Sequence, residues 1–562
     1  MISFATLRGA AWRASGTRRR LPRFALTRLG FAAGFALIAL RLVVLGFSSG
    51  DAYDLAQGQK LSTAIDRPDI TDRKGHILAT DIASASLYAD PKRIGGLDDT
   101  IEQLASVLRD LDTGALRQRL KAGGRFVWVR RQLTPRQQAR IHELGLPGVG
   151  FVSEPGRVYP AGATAAHVLG FVDVDNRGLA GIEKHIDRSP WILKAGAESK
   201  RDMAPIELSI DLSAQHALRE ELVDAMRRYR AKAASAVVLD VHTGEVVAMS
   251  SLPDFDPNNR AQAQEKDRFD RMNAGVFELG SVFKVLTTAS ALDLGVASLE
   301  DGYDASAPIR VASFTIDDFH GKRRWLSVPE IFIYSSNIGS AKMALDVGAA
   351  RHKAFLGRLG MLSRVSTELG DGAAPIVPRK WQRLSTMTIG FGHGISVTPL
   401  HLARATATLV NGGYAITPTF LRRTREESRV RAERVLKPRT SEQIRHLLRL
   451  NVTRGTARRA DAEGYRVGGK TGTAEKVVNG RYSRTALLTS LLGVFPADAP
   501  QYVVLVVLDE PQRVAETNGY ATAGVNAAPT TKRIIERIGP MLGVMPRFER
   551  SPTPRGHVTA SY

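Results

Sequence analysis

The chain of 562 residues has no cysteine. That absence removes disulfides, thiolate nucleophiles and cysteine zinc sites together. It says little about compartment, because many exported proteins also lack the residue. Residues 1–50 contain neither an acid nor a lysine. No internal repeat is visible, and residues 60–210 show no catalytic cluster; His76 and His167 stand alone there and read as structural. No aromatic–basic interleaving of a nucleic-acid surface stands out, so the net charge of +22 reads as a generally basic chain with a basic membrane flank.

What the first fifty residues do hold is eight arginines, three of them consecutive at 18–20. Residues 29–47 then run LGFAAGFALIALRLVVLGF. As a helix this stretch spans about 28 Å, near the thickness of a bilayer core. Arg41 lies close enough to its outer end to snorkel. The flanking positive charge precedes the run, so residues 1–28 are expected in the cytoplasm and the chain beyond 48 outside it. An uncleaved anchor is the reading; a cleaved signal peptide and a twin-arginine export signal are the alternatives.

Residues 48–65 read as a linker. Asp72 to Gly75 has turn chemistry between two extended pieces. The pattern predicts helices over most of 98–147, with Thr134-Pro135 as one start. A strand is predicted at 205–211, then a helix capped by Ser213 and running to Tyr229. Apolar runs at 235–241 and 245–250 form a hairpin. Helices follow to about 460, among them one opened by Thr398-Pro399 and closed at Gly412-Gly413. Strands near 487–495 and 501–508 and a helix at 530–538 complete the pattern. Strands at both ends with helices between predict one antiparallel sheet covered by helices, an α+β fold.

Three stretches carry chemistry. Ser281 and Lys284 open a helix marked by Val282, Val285, Leu286, Ala289 and Leu292, with Gly295 as its stop. They share one face, so the lysine can take the serine's proton if burial keeps it neutral. Backbone N–H groups at that helix start can hold an oxyanion. Alone, Ser-x-x-Lys is weak, because it recurs by chance roughly once or twice in a chain this long. Ser335-Ser336-Asn337 ends a second helix and offers a hydroxyl relay and an amide. Lys470-Thr471-Gly472-Thr473, after two glycines, suits an edge strand that pairs with an extended peptide. Lys470 supplies charge for a carboxylate, and Thr471 and Thr473 supply hydroxyls.

In this order the three form the signature of serine penicillin-recognising enzymes. The chain resembles the class B penicillin-binding proteins over residues 29–540. Asp72-Arg73-Lys74-Gly75 and Arg157-Val158-Tyr159-Pro160 are similar to motifs of the family's non-catalytic pedestal. Asp256-Pro257-Asn258, Gly390-Phe391-Gly392, Ser396 to Pro399 and Ala527-Ala528-Pro529 match further. Leu279 stands where the family usually has proline. The resemblance implies a transmembrane helix at 29–47, a mixed α/β pedestal or dimerisation domain at 66–212, and a transpeptidase domain at 213–540 with a five-stranded antiparallel sheet. It leaves 541–562 as a disordered tail. It implies a peptidoglycan D,D-transpeptidase in the bacterial inner membrane, its catalytic domain periplasmic, with no metal and no cofactor. Ser281 would be the nucleophile, Lys284 its base and Ser335 the proton relay. Backbone N–H groups of Ser281 and Thr473 would hold the oxyanion, Asn337 the donor peptide, and Lys470, Thr471 and Gly472 its carboxylate end. Stem peptides, β-lactams, the membrane and an FtsW-type glycan polymerase with other division proteins are the implied partners. Ser-Ser-Asn tilts the role toward division over elongation. An elongation-type transpeptidase, a carboxypeptidase or β-lactamase using water in place of an amine, a penicillin sensor and a division scaffold are the alternatives.

Overall fold

The computed structural model describes residues 23–47, 66–189, 203–311 and 314–548. The chain divides into two compact units: residues 1–63, 86–129 and 144–153, and residues 64–85, 130–143 and 154–562.

In the first unit, Arg23–Phe47 is a helix of 25 residues that contains the predicted apolar run. Phe31, Phe35, Leu37, Ile38, Leu40 and Leu42 on it are exposed. The side chains of residues 29 and 44–47 lie outside the described residues, as does the linker at 48–65. Among the described residues no helix is long and apolar enough to cross a membrane. Two helices, Leu97–Val107 and Thr113–Lys121, follow. Of the helical expectation for 98–147, a helix at Pro135–Glu143 follows Thr134 as expected, and only the stretch Val127–Leu133 is corrected to a strand. Its β-branched and aromatic residues favour the pleat, and Phe126 packs edge-on against Trp128 at 4.7 Å.

The second unit is built on five strands in the order Gly468–Val478, Arg481–Phe495, Tyr502–Asp509, Ala233–Asp240, Val246–Leu252. All neighbours run antiparallel. An early hairpin thus closes against late strands, and the sheet holds the two ends of the domain together. Both faces are covered, which is why the central strands read as unbroken apolar runs. On one face Val237, Leu239, Leu505 and Val507 pack with Val285, Leu286 and Ala289 of the helix Lys284–Asp293. On the other, Ala236, Val238, Val504 and Val506 pack with Leu218 and Leu222 of Leu212–Tyr229 and with Ile534, Ile535 and Ile538 of Ala527–Met541.

Three local expectations change. The strand predicted at 205–211 keeps only Ile206–Glu207 in a ladder. The helix that follows is capped by Asp211, whose carboxylate accepts from Ala214 N at 3.0 Å, not by Ser213. A carboxylate outcompetes a hydroxyl there because it also meets the positive end of the helix dipole. Arg481–Phe495 begins six residues before the predicted start, since its outer half is exposed and lacks the apolar run. Thr398 caps Pro399–Val410 as expected.

The motifs quoted for the pedestal form an ionic knot in this same unit. The Glu183 carboxylate accepts from Arg67 Nε at 2.8 Å and Arg157 Nε at 2.7 Å, and Arg157 Nη1 reaches Asp81 at 3.1 Å. Asp72 accepts from Leu212 N at 3.0 Å and Arg73 pairs with Glu245 at 2.9 Å. Tyr159 N donates to Asn258 Oδ1 at 3.0 Å, and Asn258 Nδ2 returns a bond to Tyr159 O. His76 meets Asp72, and His167 bonds the Arg268 carbonyl.

Candidate active site

Gly280–Phe283 is a single 3-10 turn that leads into Lys284–Asp293. Every residue of that helix is buried, as its apolar spacing requires. The turn sits directly on the edge strand. A Cβ at Gly472 would lie 2.6 Å from the Leu279 carbonyl and 2.5 Å from Ser490 Oγ, so only glycine permits the approach. Gly280 has φ +61°, and its N–H donates to Gly392 O at 3.3 Å. Phe277 and Val397 exchange two backbone bonds beside it. These contacts place Gly390-Phe391-Gly392 and Ser396 to Pro399 as the wall that fixes the turn. Leu279 enters the core at this point and leaves the turn intact.

The helix Val328–Tyr334 is opened by a capping box from Ser327 and Glu330. It ends at Ser335, held at φ +59°, ψ +42°. A non-glycine residue in that region is strained, and such strain gathers at functional sites. The Ser335 hydroxyl lies within reach of Lys284 and Lys470, and Ser336 at once caps the next helix, Asn337–Val347.

Lys284 Nζ stands 3.0 Å from Ser281 Oγ, 3.1 Å from Ser335 Oγ and 2.7 Å from Asn337 Oδ1, and also meets the Ser335 carbonyl. Lys470 Nζ donates to Ser335 Oγ at 2.9 Å. The order Ser281, Lys284, Ser335, Lys470 is therefore a continuous hydrogen-bonded path. Both amines are buried. Burial, with the Lys470 charge beside it, holds Lys284 well below the ordinary lysine value, while Asp318 pulls the other way. Burial pushes Lys470 down to about 7.

The remaining predicted residues converge too. Thr471 Oγ1 lies 2.6 Å from Thr456 Oγ1, and Thr473 Oγ1 accepts from Ala523 N at 3.1 Å. The Asn337 amide also donates to Asp317 O at 2.9 Å.

Two residues escaped the sequence reading. Asp318 accepts from Ser336 Oγ at 2.8 Å, from Ile338 N at 3.0 Å and from Asn337 N. It caps a helix that begins about twenty residues later, so no local spacing marks it. Glu278 accepts from Gly394 N at 2.9 Å and Tyr482 Oη at 3.1 Å, tying the segment that leads to Ser281 to two other segments.

Comparison with known proteins identifies the family. Residues 234–536 match the family model for the penicillin binding protein transpeptidase domain. The chain belongs to that family. Residues 63–189 match the penicillin-binding protein dimerisation domain, so the transpeptidase domain is joined to the pedestal of a class B penicillin-binding protein of FtsI type. The probable peptidoglycan D,D-transpeptidase FtsI of Caulobacter vibrioides is 39% identical over 86% of this chain and 82% of that protein. The peptidoglycan D,D-transpeptidase FtsI of Escherichia coli is 32% identical over 89% of this chain and 87% of its own length. A solved peptidoglycan synthetase from Bifidobacterium adolescentis shares the fold, with TM-score 0.66 and 22% identity over 87% of this chain and 97% of that one.

Proposed function

We propose that this chain is a serine D,D-transpeptidase that crosslinks peptidoglycan stem peptides during septal wall synthesis and is acylated by β-lactams. The observation that carries the reading is the amine of Lys284, depressed by burial and 3.0 Å from the Ser281 hydroxyl. Neutral Lys284 takes the Ser281 proton as Oγ attacks the penultimate D-alanine carbonyl. Backbone N–H groups of Ser281 and Thr473 stabilise the oxyanion. The proton passes through Ser335 to the leaving nitrogen, and D-alanine departs. A second stem peptide's amine then attacks the ester, returns the hydroxyl to Ser281 and forms the crosslink. Asn337 aligns the donor. Lys470, Thr471 and the close approach at Gly472 receive its carboxylate end.

The apolar helix that contains 29–47 serves in this reading as a single inner-membrane anchor, with residues 1–28 cytoplasmic and the catalytic domain periplasmic. Residues 66–212 and 213–540 are the pedestal and transpeptidase domains. An FtsW-type glycan polymerase and other division proteins are the expected partners. The decisive experiment is Ser281→Ala: covalent labelling by a fluorescent penicillin disappears, and undiminished labelling refutes the nucleophile. Depletion with microscopy separates the roles. Filaments with unfinished septa support division, and round cells support elongation.

A further inference from the structure

A carboxylate bound at Lys470 and Thr471 needs positive charge nearby, and burial weakens the hold of both amines on their protons. Guanidinium groups keep their charge at every accessible pH. Three stand on the segment that borders this end of the cleft. Arg454 closes the helix Pro438–Arg454, and Arg458 and Arg459 lie in the 3-10 turn Arg458–Ala460. All three are exposed, and none of their guanidinium groups makes an ion pair or hydrogen bond among the described residues. Their neighbours are engaged: Arg449 with Asp461 at 2.7 Å, Arg466 with Asp498 at 3.1 Å, and Arg445 with the Asp498 carbonyl at 3.0 Å. The acids of this region are Asp461 and Glu463. Asp461 is paired, while the exposed Glu463 carboxylate has no ion pair among the described residues.

The backbone that bears the three arginines is fastened to the site. Asn451 Nδ2 donates to Gly469 O at 2.7 Å, and Thr456 N donates back to Asn451 Oδ1 at 3.1 Å. Thr456 Oγ1 touches Thr471 Oγ1. A Cβ at Gly455 would lie 2.8 Å from the Ile333 carbonyl, two residues before Ser335. The segment is therefore wedged between the Ser335 turn and the Lys-Thr-Gly strand.

We propose that Arg454, Arg458 and Arg459 form a cationic funnel that draws the free carboxylate terminus of the donor peptide into the Lys470–Thr471 end of the cleft. The inference rests on the acyl-transfer reading above and adds how the anionic donor is selected. Steering of this kind needs no fixed contact. It acts over roughly 8–10 Å at moderate salt and raises encounter rates by about 10- to 1,000-fold.

The test uses the full chain and a penicillin, which carries the same carboxylate. Second-order acylation rates are measured from low to high sodium chloride for the unaltered chain, for R454Q/R458Q/R459Q, and for R454K/R458K/R459K. At low salt the glutamine variant acylates about tenfold more slowly. Its rate is nearly independent of salt and meets that of the unaltered chain at high salt. The lysine variant keeps both the rate and the salt slope, which separates charge from packing. Parallel salt curves for the glutamine variant and the unaltered chain overturn the funnel alone. No Ser281-dependent labelling of the unaltered chain sinks the acyl-transfer reading and the funnel with it.

Discussion

A lysine can serve as a base near neutrality only if something removes its proton, and here the causes are named. Burial comes first and the Lys470 charge second, while the Asp318 carboxylate opposes both. The pH dependence follows with its sign. Acylation needs neutral Lys284, so the rate rises with pH along a limb whose midpoint falls well below 10.5, the ordinary lysine value. Asp318→Asn removes a charge that favours protonated Lys284, so the limb moves to lower pH. The same change weakens the cap on Asn337–Val347 and slows acylation about tenfold on the plateau, the equivalent of roughly 1.4 kcal/mol. Stopped-flow acylation across pH reads both effects, and a limb displaced upward contradicts the electrostatic assignment. Lys284→Ala slows acylation at every pH while the fold survives, and normal kinetics in that variant exclude it as the base. Ser281, Lys284, Ser335, Asn337 and Lys470 were legible because reactive residue types stood at helical or edge-strand positions. Asp318 and Glu278 were not, because a carboxylate that acts on a distant segment leaves no spacing to read.

At the scale of elements, the turn Gly280–Phe283 and the strand Gly468–Val478 must touch, and two glycines make that possible. Gly472→Ala places a methyl group within 2.6 Å of the Leu279 carbonyl, which belongs to backbone and cannot swing aside. The strand has to move off the turn. The expected result is an acylation rate reduced by more than about a hundredfold, with a destabilisation of about 1–3 kcal/mol from overpacking. Penicillin kinetics with thermal unfolding test this, and an alanine variant at full rate refutes the contact. The sheet itself was readable because strands covered on both faces are written as continuous apolar runs. Val127–Leu133 was missed for the opposite reason: its VWVRRQL mixes apolar and basic residues with no clean period. The outer half of Arg481–Phe495 was missed because exposed residues carry no pattern. The Asp211 cap shows the limit of propensity, since an acid and a serine two residues apart compete for one helix start.

In the second unit as a whole, segments far apart in sequence are joined by buried charge. Glu183 is fully buried between Arg67 and Arg157, which are themselves 2% and 0% exposed. The paired charges offset one another, so the arrangement is tolerable only while every member is present. Glu183→Gln keeps the shape and deletes the charge. It also turns amide donors toward guanidinium donors. Arg157 keeps Asp81 and Arg67 keeps Asp187, so what is lost is the charge-assisted bonding to Glu183, and the cost should be about 1–3 kcal/mol. Residues 66–76 also carry the bonds from Asp72 to Leu212 N and from Arg73 to Glu245, so loosening Arg67 loosens the start of the helix Leu212–Tyr229. None of these groups lies on the path from Ser281 to Lys470. The expected variant therefore melts several degrees lower and is cut sooner by protease, yet acylates at an unchanged rate per folded molecule in the cold. Differential scanning fluorimetry paired with penicillin labelling decides the matter. An unchanged melting temperature removes the ionic knot as a structural tie, and a slowed rate in the folded protein shows that the knot reaches Ser281.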